Sequence, residues 1–403
     1  MQTELPADFL ATARGARADQ ILRSCVHCGF CNATCPTYQL LGDELDGPRG
    51  RIYLIKEMLE TREADEVTRL HLDRCLTCRA CETTCPSGVQ YGELLEIGRN
   101  YLEAELPRRG VLSWPRRWLL AVVPRPGRLR TWLRLGNALH GLLPDRLRRG
   151  LPPLPHGGEA PAAVSPAERS GRRVLVLEGC VQSVATPDVN RTFSALLAAR
   201  GVEVIRAQAG CCGGLALHLG EESQARRAMA RHLDALAPAL AGVEAVVSTA
   251  SGCGVTVKDY GRLLADDPER CDTAQRLAEL TVDAAEYLRG LDTRWEASGS
   301  HRRVAWHSPC TLQHGQQLRG VVEPLLAAAG YELVPVRDAH LCCGSAGSYS
   351  LLHPELSGQL RRRKLAGLTE HAPEVIATAN VGCQLHLAAE AGIPVVHWLQ
   401  LLR

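Results

Sequence analysis

At 403 residues and 45% hydrophobic content, the chain is too long for one small domain and apolar enough for real cores. A net charge of +2 gives no ground for nucleic-acid binding, and only three of the 46 basic residues are lysines: Lys56, Lys258 and Lys364. Seventeen cysteines, an odd number, follow a polar N-terminus without an apolar signal core, and no run approaches the roughly 18 apolar residues of a spanning helix, so the expectation is a soluble protein of a reducing compartment that keeps its thiols for metal.

Apolar residues recur at helical spacing in RIYLIKEMLE (51–60) and EVTRLHLDRC (66–75), and alternating strand pattern is scarce. This predicts an α-helical ferredoxin-like module over residues 1–105. Within it, CVHCGFCNATCP (25–36) and CLTCRACETTCP (75–86) share the run C-x2-C-x2-C-x3-C-P. Thiolate sulfur suits zinc or iron–sulfur clusters, but zinc ribbons use separated C-x2-C pairs. The run found here is the bacterial-type cluster signature, whose fourth cysteine ligates the other cluster when two copies are present. One [4Fe–4S] cluster is therefore expected on Cys25, Cys28, Cys31 and Cys85, and a second on Cys75, Cys78, Cys81 and Cys35. Gly29 lets backbone amides approach sulfur. Arg49 and Arg51 have two readings of equal weight: cations that raise a cluster potential, or surface ion pairs with Asp43, Glu44 or Asp46.

Composition shifts over 106–170, first to Arg, Leu and Trp and then to Pro, Gly and Ala in LPPLPHGGEAPAAVSPAERSG (151–171). The segment reads as a basic, Pro-rich linker. Its first part is either a pair of ordinary surface helices or a basic amphipathic surface for a membrane or partner.

Strand and helix patterns alternate beyond Arg172, the mark of an α/β layer with a mostly parallel sheet. The order RVLVLEG…CCGG…SGCG recurs as RVAWHSPC…LCCGS…NVGC, with Cys180, Cys211 and Cys253 matched by Cys310, Cys342 and Cys383 at a shift of 130 or 131 residues. A duplicated cysteine-rich α/β domain is expected, with repeats at 171–300 and 301–403. Cys180, Cys211, Cys212 and Cys253 form one foursome and Cys310, Cys342, Cys343 and Cys383 the other, each at strand ends where open α/β sheets bind ligands. Buried structural cysteines are the bland alternative. The repetition favours additional metal ligands, with further iron–sulfur clusters as the candidate cofactors. Gly213 and Gly344 permit the turn that two adjacent ligands need. His307, His314, His340 and His386 surround the second foursome, where the first repeat has Leu177, Val184, Ala209 and Thr256; such histidines suit a quinone head group or a proton relay. Cys271 fits neither repeat.

There is no G-x-G-x-x-G after a strand, no P-loop, no haem motif and no nucleophile–base pair. With no catalytic residue of its own, the chain reads as an electron relay whose hydride-accepting cofactor lies on another subunit. The repeats resemble the cysteine-rich domains of heterodisulfide reductase, but Thr256 and His386 stand where that motif ends in C-x2-C. One thiolate per lobe is missing, and the four that remain suit an ordinary four-thiolate cluster. Over nearly its whole length the chain resembles the iron–sulfur subunits of bacterial glycolate oxidase (glycolate dehydrogenase), through CVHCGFCNATCPTYQLLGDELDGPRGRIYLIK, HLDRCLTCRACETTCPSG, TASGCG, CTLQH, HLCCGSAGSY and TANVGCQLHL. The resemblance implies FAD-binding partner subunits that oxidise glycolate to glyoxylate, a quinone or other membrane electron acceptor, and a place on the inner face of the cytoplasmic membrane. Related assemblies that oxidise D-lactate or glycerol 3-phosphate, a disulfide-reducing enzyme and a zinc-stapled interaction protein are the competing readings.

Overall fold

The computed structural model describes residues 1–108, 110, 113–142, 171–291 and 293–403. The N-terminal part is helical, built on α1 (Ala13–Ser24), α2 (Pro48–Thr61), α3 (Glu66–Asp73) and α4 (Tyr91–Glu105). Thr12 starts α1 by accepting the Gly15 N–H at 2.9 Å, and Asp65 starts α3 by accepting that of Thr68 at 2.6 Å. Pro48 opens α2, where its missing N–H costs nothing. Ile52, Ile55 and Leu59 then fall on one face of α2 and bury against Leu94 and Leu95 of α4 and Ile21 and Leu22 of α1. The cysteine motifs are the loops joined to this small core, and Cys25 and Cys81 are part of it.

The segment expected as a linker begins with two helices, α5 (Trp114–Val122) and α6 (Pro126–Ala138). Leu119, Leu120 and Val122 are buried, Leu120 in the core of the first α/β lobe. Trp118 of α5 meets Trp132 of α6 edge to face at 5.4 Å. The Pro- and Ala-rich part of that expectation, 143–170, lies outside the described residues.

Two four-stranded parallel sheets follow. The first has β1 (Arg173–Leu177), β2 (Glu203–Ala207), β3 (Ala245–Ser248) and β4 (Thr281–Asp283) in the order β2-β1-β3-β4. The second has β5 (Arg303–His307), β6 (Glu332–Val334), β7 (Val375–Thr378) and β8 (Val395–His397) in the order β6-β5-β7-β8. The fourth strand of each sheet carries only three residues, too few for a periodic pattern, so neither is apparent from the sequence.

β1 is a continuous apolar run because both its faces are covered. Leu175 and Leu177 point into the core of the first lobe alone. Val174 and Val176 point the other way, into a core they share with Val304 and Trp306 of β5, along with Phe193, Leu326 and Trp398. The two lobes are thus fused through one hydrophobic interior. His397 extends the join by donating from Nε2 to the Thr249 carbonyl at 2.8 Å.

The helical module sits against both lobes. Arg99 of α4 donates to the carbonyls of Leu72, Cys75 and His218 at 2.6, 2.9 and 2.9 Å. Thr83 meets Nδ1 of His314 at 2.8 Å.

Candidate functional site

Both N-terminal motifs bend their backbones in the same unusual way. His27 and Gly29 in the first, and Thr77 and Arg79 in the second, have φ of 55°, 82°, 52° and 60°. Left-handed residues between the cysteines turn successive amides inward, making a concave donor surface suited to anionic sulfur. The His27 amide favours the Cys25 thiolate and the Ala80 amide that of Cys78. A left-handed β-branched Thr77 is a strained choice that the loop retains.

The thiols gather into two recesses. One, of about 420 Å³ with its open mouth included, is lined by Cys25, Cys28, Cys31 and Cys85, with Arg49, Ile52 and Tyr91 around them. The other, of about 310 Å³, is lined by Cys35, Cys75, Cys78 and Cys81, beside Arg51 and Tyr91. Each recess thus takes three cysteines from one motif and the last from the other, while Cys81 also forms part of the first recess wall. Burial pushes the Cys31 thiol up to about 11 and raises Cys25; Cys81 is held well above the ordinary range by burial and then by the Cys78 sulfur. A metal that displaces the protons of these raised thiols relieves the crowding.

Electrostatics fit an anionic group in the second recess. Arg51 is fully buried, donating to His71 O at 2.7 Å and Thr37 Oγ1 at 3.2 Å, with Nη1 4.0 Å from Cys35 Sγ. Asp46, also fully buried, pairs with Arg51 at 3.3 Å, Arg74 at 2.8 Å and His71 at 3.0 Å. One carboxylate facing two guanidinium groups leaves an excess positive charge beside Cys35 and Cys75, costly in a low-dielectric interior unless the recess holds negative charge. Arg51 makes an ion pair with Asp46, but a buried one beside the Cys35 thiol and not a surface one. Arg49 pairs with Glu44 at 2.6 Å nearer the surface and lies over Gly29, where a Cβ would come within 2.8 Å of its Nη1. The four-thiol donor sets and this surplus cation fit [4Fe–4S] clusters.

The C-terminal foursomes also assemble, each at the carboxyl end of its sheet. In the first lobe the sulfurs of Cys180, Cys211, Cys212 and Cys253 are near enough that each alters the ionisation of the next. In the second, Cys310 Sγ lies 3.9 Å from Cys342 Sγ, and the Cys343 thiol is shifted by its neighbours Cys342 and Cys383. Gly213 and Gly344 donate to Cys211 and Cys342 at 3.4 and 3.5 Å. Gly344 has φ of 91°, and a Cβ there would meet Leu360 Cβ and Ser357 O at 2.8 Å, so no other residue fits. Cys271 stands apart from both sets, its sulfur 3.8 Å from Asp272.

The four histidines separate. His307 is buried, with one ring nitrogen near Cys343 and Cys383. His386 reaches Ser357 Oγ at 3.3 Å, and burial followed by nearby Arg361 lowers it to about 4. His314 is tied at both nitrogens, to Thr83 and Arg319 at one and to the His340 carbonyl at the other, 2.8 Å away. It is a joint between the helical module and the second lobe and offers no free nitrogen to a quinone, correcting the sequence expectation for that residue. His340 is half-buried and contributes that carbonyl.

Tyr349 and Leu76 are functional neighbours that the sequence did not single out. They pack with Cys342 and Leu360 in a buried cluster that includes Cys78 and Cys310, joining the second recess to the second foursome. No motif marks them, because the contact joins segments more than 200 residues apart.

Among the described residues no helix is long and apolar enough to cross a membrane. A family model described as a 4Fe-4S dicluster domain matches residues 21–89, and one described as a cysteine-rich domain matches both 174–258 and 304–388. The chain is 48% identical to the glycolate oxidase iron-sulfur subunit of Escherichia coli (strain K12), over 100% of this chain and 98% of that protein. It is 31% identical to the probable glycolate oxidase iron-sulfur subunit of Bacillus subtilis (strain 168), over 91% of this chain and 88% of that one. Lactate utilization protein A of Bacillus licheniformis is 28% identical over 57% of this chain and 98% of its own length. With thiol sets of this kind and full-length similarity of this degree, the protein is a redox subunit with an iron–sulfur electron-transfer role, and it belongs to the family of glycolate oxidase iron–sulfur subunits.

Proposed function

We propose that this chain carries electrons within a flavin-dependent glycolate oxidase (glycolate dehydrogenase) complex, from glycolate oxidation to glyoxylate on a partner FAD subunit toward a quinone-type acceptor at the inner face of the cytoplasmic membrane. In this reading residues 1–105 form the two-cluster module, and 171–300 and 301–403 form the cysteine-rich lobes. Cys25, Cys28, Cys31 and Cys85 hold one [4Fe–4S] cluster, and Cys75, Cys78, Cys81 and Cys35 hold the other. A bound cluster supplies a one-electron carrier.

The observation that carries the reading is the orientation of the two recesses. The first opens to solvent, with Cys28, Val26 and Phe30 exposed beside it. That apolar rim suits docking of an electron-donating subunit. The second is lined by buried and half-buried residues and backs onto Cys310 and Cys342. Arg51 offsets negative charge in the second recess, and the left-handed loops supply amide donors to both.

The similarity to Lactate utilization protein A supports a second reading in which lactate is the acid oxidised, but it spans 57% of the chain against full length for the glycolate relative. Anaerobic addition of glycolate to this chain in complex with its FAD-binding partners should develop reduced-cluster EPR signals within turnover time. D-lactate and glycerol 3-phosphate should act far more slowly. Reduction by lactate alone would replace the glycolate reading, and no reduction by any hydroxy acid would end the relay.

A further inference from the structure

We propose that His307 is a nitrogen ligand to an iron–sulfur centre in the second lobe, together with Cys343 and Cys383, so that the two lobes hold chemically different centres. This rests on the relay reading above and deepens it. A ring nitrogen of His307 and the sulfurs of Cys343 and Cys383 all lie within 4.8 Å of one another, and all three residues are buried. Nδ1 of His307 lies 3.0 Å from the hydroxyl of Thr378, which is itself fully buried. Nε2 is buried and has no hydrogen-bond partner among the described residues.

An orphaned buried polar atom costs about 1–3 kcal/mol, and a native structure that retains one has a use for it. A histidine fixed through one nitrogen by a neighbouring side chain, with its ring beside two thiols, has the arrangement of an oriented metal ligand.

The first lobe lacks both halves of this device. Leu177 ends β1 where His307 ends β5. Ser248 ends β3 where Thr378 ends β7, and its hydroxyl is spent on the Ala250 carbonyl at 2.9 Å. The position after C-x2 nominates a different residue, His386, but its ring is engaged with Ser357 and the Cys343 backbone. A neutral imidazole in place of a thiolate removes one negative charge from a centre and favours its reduced state, as with histidine-ligated iron–sulfur sites in general. Electrons reaching Cys78 would then be drawn into the second lobe, which its cluster adjoins, in preference to the first.

The test uses the full-length chain, purified anaerobically with [15N]histidine and reduced with dithionite. Pulsed EPR should show 15N coupling on a signal distinct from the N-terminal clusters. In His307→Leu that signal should be lost while the N-terminal signals and the far-UV circular dichroism persist, and in His307→Cys a centre should return without the coupling. A third signal that carries no histidine 15N coupling in the wild-type chain overturns the ligation and leaves the relay intact. Iron stopping at about eight per chain, with no third signal, overturns the centre itself, while glycolate-driven reduction of the N-terminal clusters would still stand.

Discussion

Cys78 of the helical module and Cys310 of the second lobe enter one cluster with Leu76, Cys342, Tyr349 and Leu360, and after burial the Cys310 sulfur is the largest influence raising the Cys78 thiol. No corresponding cluster joins Cys78 to the thiols of the first lobe among the described residues. The relay therefore has a preferred exit from its second recess. In the assembled complex, Cys310→Ala should leave both N-terminal clusters reducible by glycolate while slowing acceptor reduction at least tenfold. Steady-state turnover alongside freeze-quench EPR separates the two effects.

The recess linings pair Cys85 with the first motif and Cys35 with the second. Cys85→Ala should therefore perturb the same EPR signal as Cys28→Ala, and Cys35→Ala the same signal as Cys78→Ala. Each should lower iron content by up to about four per chain. Matching phenotypes within a motif, with none across, would refute the crossed arrangement.

Arg51→Met removes a buried cation from beside Cys35 and Cys75 and leaves Asp46 with Arg74 and His71. Loss of one partner from a buried ionic network costs about 3–5 kcal/mol. Redox titration should show the potential of one N-terminal cluster falling while the other holds. Equal shifts in both would mean that Arg51 acts through general destabilisation.

Gly344→Ala places a methyl group 2.8 Å from Leu360 Cβ in a backbone of φ 91°. The expected cost is about 2 kcal/mol or more, felt first as loss of any centre in the second lobe. Gly347, also left-handed but with open space around it, is the control: Gly347→Ala should cost only the conformational part, about 1 kcal/mol.

Burial lifts the Asp283 carboxyl to about 6, although it caps the following helix through Ala285 and accepts from Gln316 at 3.3 Å. A folded value above the unfolded ~3.9 means that the folded state binds the proton more tightly. Its contribution is therefore full below about pH 4 and is lost as pH rises through about 6. Asp283→Asn keeps the cap and removes the titration. Between pH 5 and pH 7, the unfolding free energy from anaerobic urea titrations should fall more for the wild type than for the variant, by on the order of 1 kcal/mol. Parallel curves would show that Asp283 does not titrate in that window.

The sequence by itself determined what short-range geometry dictates. Three thiols separated by two residues each converge on one small site, and the helix and strand periods of the apolar runs indicate the fold class. It also fixed the strand-end placement of each C-terminal cysteine, since a strand followed by a helix start leaves little choice. The tertiary structure decided everything that depends on burial and on long-range neighbours. It put Arg51 in the interior, tied His314 to Thr83, and fused the lobes through Val174, Val304 and Trp306. It also left the Nε2 of His307 without a hydrogen-bond partner among the described residues, a distinction among the four histidines that the sequence could not draw. Local pattern encodes the direction a side chain takes from its own backbone; which distant group it meets there is set by how the two sheets and the helical module pack.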